Sequence, residues 1–303
     1  MKVLISTSSF GKADNMPLNM CQSKCEVILN PYGRKLTTEE FVELTAKVDA
    51  VIAGVENITR EALMKRPNIK VISRCGVGMD NVDQIACREL GVKLYNTPEA
   101  PVGSVAELTV TVMLDILKNV SNMNAALKSG IWNKMTGFMM KGKRIGIIGF
   151  GRIGRRVAEL LQCFGTEIAY TDVCNQENEY VYMKKKELLA WADIVTVHAS
   201  DCEEGNYIIG AEDIQKMKAT SFLVNTSRGR FIDEEALYEA LKTKRIRGAA
   251  LDVYAQEPYQ GKLCELENVI LTPHISSSAA EGRAVMEIEA VKNLFKGLEI
   301  END

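Results

Sequence analysis

The chain contains only two histidines, His198 and His274, and each closes a short apolar run, DIVTVH and NVILTPH. Histidine is the side chain best suited to moving a proton in the physiological range. Two further polar residues follow comparable runs, Arg228 in NTSRGR and Glu257 in YAQEP. Making an alcohol from a ketone needs a proton donor at the carbonyl oxygen, a cation for a substrate carboxylate, and a group that tunes the donor. His274, Arg228 and Glu257 are of those three types. Alone, each has a plainer reading as a surface charge or a capped strand end, so the case rests on their shared position after apolar runs. His198 ranks lower, because a histidine there can serve simply by shaping a nucleotide pocket.

A hydride source is suggested by residues 145–154, IGIIGFGRIG, in which Gly149, Gly151 and Gly154 form GxGxxG. That motif alone is weak. Here an apolar run precedes it, and a helical pattern with Ile153, Val157, Leu160, Leu161 and Phe164 on one side follows it. The next run, EIAYTD, ends on the acid Asp172. In such a unit one glycine makes the tight turn, one lets the backbone approach a pyrophosphate, and one lets helix and strand pack closely. The helix N-terminus receives the phosphate charge. Asp172 would accept hydrogen bonds from the adenosine ribose and repel a 2′-phosphate. No arginine follows it in VCNQEN, so NAD is favoured over NADP.

These residues must be positioned by the elements around them. Runs such as KVLIS, EVIL, DAVIA, KVIS and VKLYN alternate with helical patterns. A second series follows: RIGIIGF, EIAYTD, DIVTVH, SFLVNT, GAALDV and NVILTPH. Strands apolar nearly throughout imply parallel sheets covered on both faces. The predicted class is α/β, with two doubly wound domains, the nucleotide-binding one a Rossmann fold. Open sheets of this kind bind ligands beyond the carboxyl ends of their strands, which is where the polar candidates fall. The linker is placed at NTPEAPVGS, before a helix with Val105, Leu108, Val112 and Ile116 at helical spacing. A last amphipathic helix shows Val285, Ile288, Val291, Phe295 and Leu298 as its stripe, without indicating what it docks on.

With 303 residues, 46% hydrophobic and 25% charged, the chain has the balance of two ordinary globular domains. A net charge of -3 gives no electrostatic footprint for nucleic acid or an anionic membrane. No run resembles a signal-peptide core or a membrane span, so a soluble, cytoplasmic protein is expected. The eight cysteines include no CxxC and there are two histidines to assist them. Reduced thiols are expected and no metal site, with Cys21 and Cys25 sharing a helix face structurally.

The chain resembles the D-isomer-specific 2-hydroxyacid dehydrogenases, a group that includes D-3-phosphoglycerate dehydrogenase, D-lactate dehydrogenase and hydroxypyruvate reductases. The resemblance spans nearly the whole chain through RCGVGMDNVD, NTPEAPVGSVAELT, GKRIGIIGFGRIG, VNTSRG, ALDVYAQEP and LTPHIS. It implies that Arg228 clamps the substrate carboxylate, His274 is the acid/base, and Glu257 hydrogen-bonds and tunes that histidine. It implies that backbone amides of Gly76, Val77 and Gly78 hold the carboxylate, with Val77 also beside the cofactor. Asp252 would contact the nicotinamide carboxamide, and Arg152, Ile153, Asp172, Ala199 and Thr226 would line the remaining NAD. Asp80, Asn81 and Asp83 are read instead as caps of the helix after the GVG turn.

The resemblance further implies a flavodoxin-like substrate domain of residues 1–98 plus 278–303 and a Rossmann domain of 99–277. It also implies a homodimer built largely on the cofactor domains, and hinge closure before hydride transfer. The expected function is an NAD-dependent 2-hydroxyacid dehydrogenase or 2-keto acid reductase, D-3-phosphoglycerate dehydrogenase being one form, without an appended regulatory domain. Glu56, in AGVENITRE, disfavours a phosphorylated substrate, and Ser276, Ser277 and Ser278 replace the usual glycines after the histidine. A second reading is an NAD(H)-sensing corepressor-like interaction protein, which such chains also resemble. Formate-type enzymes fit less well, since their histidine is partnered by glutamine.

Overall fold

The computed structural model describes residues 1–173, 175, 178–200 and 206–301. Cys174 and Cys202, read above as reduced thiols, lie outside the described residues. Two compact units emerge, Met1–Pro101 with Ser277–Asp303, and Val102–Ser276.

Unit 1 begins β1 (Lys2–Ile5), α1 (Met16–Gln22), β2 (Glu26–Leu29), α2 (Thr38–Leu44), β3 (Ala50–Ala53) and α3 (Arg60–Met64). It continues with β4 (Val71–Arg74), α4 (Gln84–Glu89) and β5 (Lys93–Tyr95). All five strands are parallel, in the order β2-β1-β3-β4-β5. Alternate residues supply the two faces. Val3, Ile5, Ala50, Ile52 and Val71 enter one core, whereas Leu4, Val51, Ala53 and Ile72 enter the other. Local chemistry starts the helices: Thr37 and Glu40 form a capping box on α2, and Thr59 and Asp83 cap α3 and α4. Of the three residues read as caps after the GVG turn, Asp83 accepts from the Ala86 amide at 2.7 Å. Asn81 instead donates to the carbonyls of Gly54 and Glu56, because its amide is a better clasp for the neighbouring loop than a cap.

Unit 2 holds α5 (Val102–Lys118), α6 (Val120–Lys128), β6 (Arg144–Ile148), α7 (Arg152–Gln162), β7 (Glu167–Thr171) and β8 (Val181–Tyr182). It proceeds through α8 (Lys185–Trp191), β9 (Ile194–Val197), α9 (Ala211–Ile214), β10 (Phe222–Asn225) and α10 (Glu234–Lys242). The last strands are β11 (Gly248–Leu251) and β12 (Val269–Leu271). Its parallel strands run in the order β12-β11-β10-β9-β6-β7-β8. The order in which the strands are laid down reverses between β6 and β9, the switch point at which doubly wound sheets take a dinucleotide.

The chain returns to unit 1 as α11 (Ala280–Leu298), which packs on α1, β3, β4 and β5. The stripe differs from the sequence reading. Val291, Phe295 and Leu298 are buried, but Val285 is 53% exposed, and the inward face carries Met286, Glu287, Ala290 and Leu294. A fully buried Glu287 at the centre of that face conceals the true periodicity. Cys21 and Cys25 are both buried, and burial pushes the Cys21 thiol up to about 12, as befits a packing role. Among the described residues, no helix is long and apolar enough to cross a membrane, and no group of three or more His, Cys, Asp or Glu could hold a metal.

Candidate active site

Strand register in unit 2 decides what meets what. Ile148 pairs with Val197, Val197 with Asn225, Asn225 with Leu251, and Leu251 with Leu271. Gly149, His198, Thr226, Asp252 and Thr272, each the next residue along its strand, therefore share one edge of the sheet.

The glycine turn has the form that nucleotide binding requires. Gly149 has φ +89°, and a Cβ there would lie 2.5 Å from the Ala199 nitrogen. A Cβ on Gly154 would lie 2.3 Å from the Gly149 oxygen, whereas one on Gly151 would meet nothing within 4 Å. Two glycines thus close the turn, and the third leaves open space at the N-terminus of α7. That space and the start of an 11-residue helix whose N-cap, Gly151, brings no side chain fit a pyrophosphate. Asp172 ties the next strand to the turn by accepting from the Phe150 amide at 2.7 Å. Ile153 packs partly into the core, Arg152 is exposed, and Thr226 is buried against Thr109 with their hydroxyls 2.8 Å apart.

His198 is buried, and its Nε2 lies 2.9 Å from the Thr196 hydroxyl. Burial pushes its pKa down to about 3. It stays neutral and inside, consistent with shaping the fold around the glycine turn and not with proton transfer.

The polar group beyond β10, β11 and β12 is different. His274 Nδ1 is 2.7 Å from Glu257 Oε2, and both side chains are substantially open to solvent, 47% and 36%. The other Glu257 oxygen accepts from the Tyr254 amide at 3.1 Å. A carboxylate fixed in this way accepts the Nδ1 proton and leaves Nε2 as the working nitrogen. Arg228 is half-buried, its guanidinium donating to the Ser227 carbonyl at 2.7 Å. The loops that carry Arg228 and Glu257 are interlocked. A Cβ at Gly229 would lie 1.8 Å from the Tyr254 carbonyl carbon, so only glycine fits.

Asp252 is 1% exposed, and its carboxylate accepts from Thr272 Oγ1 at 2.6 Å, the Ile275 amide at 2.8 Å and the Ser276 amide at 2.8 Å. Those bonds brace the turn in which His274 takes a left-handed conformation, φ +53°, unusual for a residue with a side chain. Ser276 has no such φ, so glycine is not needed there; its carbonyl accepts from the Ser104 hydroxyl at 2.6 Å. Thr109, Thr272 and Ser104 are supporting residues that the motifs do not single out. Thr109 could have been suspected as a polar residue within the buried stripe of α5.

In unit 1, the GVG turn follows β4. The Gly76 amide donates to the Thr97 hydroxyl at 2.7 Å. The amides of Val77 and Gly78 make no hydrogen bond among the described residues. Glu56 also differs from the sequence reading. It is 1% exposed, hydrogen-bonded by the Ser6 hydroxyl and by the Gly54 amide at 3.1 Å, so it does not display its charge to a ligand.

Residues 110–276 match the family model described as D-isomer specific 2-hydroxyacid dehydrogenase, NAD binding domain. A hydroxypyruvate reductase of Thermotoga maritima is 35% identical over 300 residues, covering 94% of this chain and 97% of that one. A D-3-phosphoglycerate dehydrogenase of Methanocaldococcus jannaschii is 38% identical over 280 residues, covering 88% of this chain but 53% of its own length. The chain thus spans about half of that longer relative. A D-lactate dehydrogenase from Aquifex aeolicus, solved with NAD and lactic acid, superimposes with a TM-score of 0.86 at 26% identity, covering 98% and 95% of the two chains.

Proposed function

The chain belongs to the D-isomer specific 2-hydroxyacid dehydrogenases, and from that membership we propose that it interconverts a small 2-keto acid and its 2-hydroxy acid with NAD. The observation that carries the proposal is the Glu257–His274 pair at 2.7 Å, on the same sheet edge as the glycine turn and Arg228. Bound at Gly149, Gly151, Arg152, Ile153, Gly154, Asp172, Ala199 and Thr226, NADH would supply the hydride for the substrate's C2. Arg228 takes the substrate carboxylate and polarises the neighbouring carbonyl. His274 Nε2 gives its proton to the carbonyl oxygen, and in the opposite direction removes it from the hydroxyl. Glu257 holds the ring in the required tautomer and offsets the imidazolium charge. Asp252 keeps the histidine turn in place, and any contact with the carboxamide would use its remaining lone pairs. Val77 and Gly78 amides are further contacts for the carboxylate in this reading.

The assay is NADH oxidation with glyoxylate, hydroxypyruvate, 3-phosphohydroxypyruvate, pyruvate and oxaloacetate. Turnover of at least one acid is expected. NADH binding without turnover of any would overturn the enzyme reading in favour of a sensor.

The partner in this reading is a second copy. Helix α6 buries none of its residues, and Val120, Leu127, Ile131, Trp132 and Met139 are all more than half exposed, Trp132 by 86%. Such an apolar patch is costly in water and suits a symmetric interface. Light scattering should give twice the chain mass, and Trp132→Glu should shift it toward the monomer. A wild-type monomer at micromolar concentration would remove the dimer from the proposal.

A further inference from the structure

Tyr254 lies three residues beyond β11, in the same run that carries Asp252. Its ring is 8% exposed and stacks on Tyr259, with centroids 4.3 Å apart and planes at 19°. It belongs to the buried core that includes Leu251, Leu263 and Val269. A phenol buried in such company must find a partner for its hydroxyl. This one donates to two carbonyl oxygens, those of Leu251 at 3.1 Å and Thr272 at 3.0 Å. The Thr272 carbonyl also accepts from the His274 amide at 3.0 Å. One oxygen atom thus stands between the Tyr254 hydroxyl and the backbone of His274. Burial pushes the phenol above its ordinary range, so the hydroxyl keeps the proton it donates.

The backbone of Tyr254 reaches the other half of the pair. Its amide donates to Glu257 Oε1 at 3.1 Å, the oxygen that His274 does not use. Its peptide is also the surface against which Gly229 packs, one residue after Arg228. Amide, peptide and hydroxyl of a single residue therefore touch the segments that carry Glu257, Arg228 and His274. Asp252 holds the amides after the histidine, and Tyr254 holds the carbonyl before it. The left-handed turn is gripped from both sides.

We infer that Tyr254 is a positioning residue for the acid/base: with its hydroxyl on Thr272 and its amide on Glu257, it sets how closely His274 Nδ1 meets the carboxylate. The kinetic consequence rests on the dehydrogenase reading, whereas the geometry lies wholly within unit 2. Tyr254→Phe keeps the ring, its stack and the backbone amide, and deletes only the hydroxyl. It should fold, because each carbonyl keeps a backbone donor at 3.0 Å, the Thr272 amide for Leu251 and the His274 amide for Thr272. Tyr259→Phe is the control. It trims the other ring of the same stack, whose hydroxyl accepts from the Leu263 amide at 3.2 Å.

Because the chain has only two histidines, nitrogen NMR on histidine-labelled full-length protein gives one ring spectrum for each, with buried His198 as the internal reference. In Tyr254→Phe the His274 ring signals should shift and broaden while those of His198 stay in place. Neither should move in Tyr259→Phe. On the best-reduced acid of the panel above, Tyr254→Phe should lower kcat about tenfold, with KM for the acid and NADH affinity each within about twofold. In a His274→Ala background the same change should lower kcat less than about twofold, since the hydroxyl acts through the histidine. Unmoved His274 signals, a loss that persists without His274, or an equal loss in Tyr259→Phe would overturn the inference. Absence of turnover in wild type would count against the dehydrogenase reading, and the histidine spectra alone would then decide the positioning role.

Discussion

The two parallel sheets present opposite solutions at their carboxyl edges. In unit 2, His274 and Glu257 stand open to solvent in hydrogen-bond contact, where a proton can come and go. In unit 1, Glu56 and Glu287 are 1% and 0% exposed, and each is satisfied by donors from within the unit, Glu56 by Ser6 and Gly54 and Glu287 by Arg283 and Gly11. One edge leaves its carboxylate and imidazole within reach of solvent, the other keeps its carboxylates internal. Exposure, more than residue type, separates the carboxylates of the two edges.

The sharpest way to break this contrast is His274→Ala. It should lower kcat about a thousandfold, near 4 kcal/mol in barrier, with NADH affinity unchanged by fluorescence titration. Retained turnover would show that the exposed pair does not carry the chemistry. The buried His198 offers a test within unit 2. Because its folded pKa lies at about 3, below the ordinary 6.5, the unfolded chain binds the proton more readily between those values. Its neutral form therefore contributes fully above about pH 6.5, and that contribution, on the order of 5 kcal/mol, fades as pH falls toward 3. His198→Gln should flatten the acid side of a plot of Tm against pH; an unchanged slope would remove His198 as its cause. Asp252→Asn exchanges an acceptor for a donor opposite the turn's amides. It should cost about 2 kcal/mol of stability and lower kcat about thirtyfold, read by thermal unfolding and steady-state rates. Glu56→Gln should have the smallest consequence, about 1 kcal/mol in stability with kcat within about twofold. A large kcat loss there would mean that the unit 1 edge is not passive.

Much of this architecture was legible because each β-branched run ends on a residue with a task, so the sheet edge could be traced through Gly149, Asp172, Arg228 and His274. What α11 docks on was legible only through the resemblance, not from its own pattern. Glu287 and Arg283 look like a solvent face in sequence, although Glu287 is buried and the two are paired within the fold. Glu56 misled for the same reason, since a carboxylate and the hydroxyl that donates to it, Ser6, are distant in the chain. Asp252 shows the converse limit. A motif can mark a residue as important, but its three internal hydrogen bonds depend on the conformation of residues 272–276. The committed Gly76 amide is invisible without Thr97, which lies 21 residues away.

The contact of Gly229 with the Tyr254 backbone reaches beyond local packing. Because no side chain fits at 229, the loop bearing the arginine and the loop bearing the glutamate cannot drift independently. For anyone recombining this enzyme with a relative, the two loops form one inheritable block. A crossover between residues 229 and 254 risks mating surfaces that were never selected together, whereas crossovers outside that interval carry the block intact.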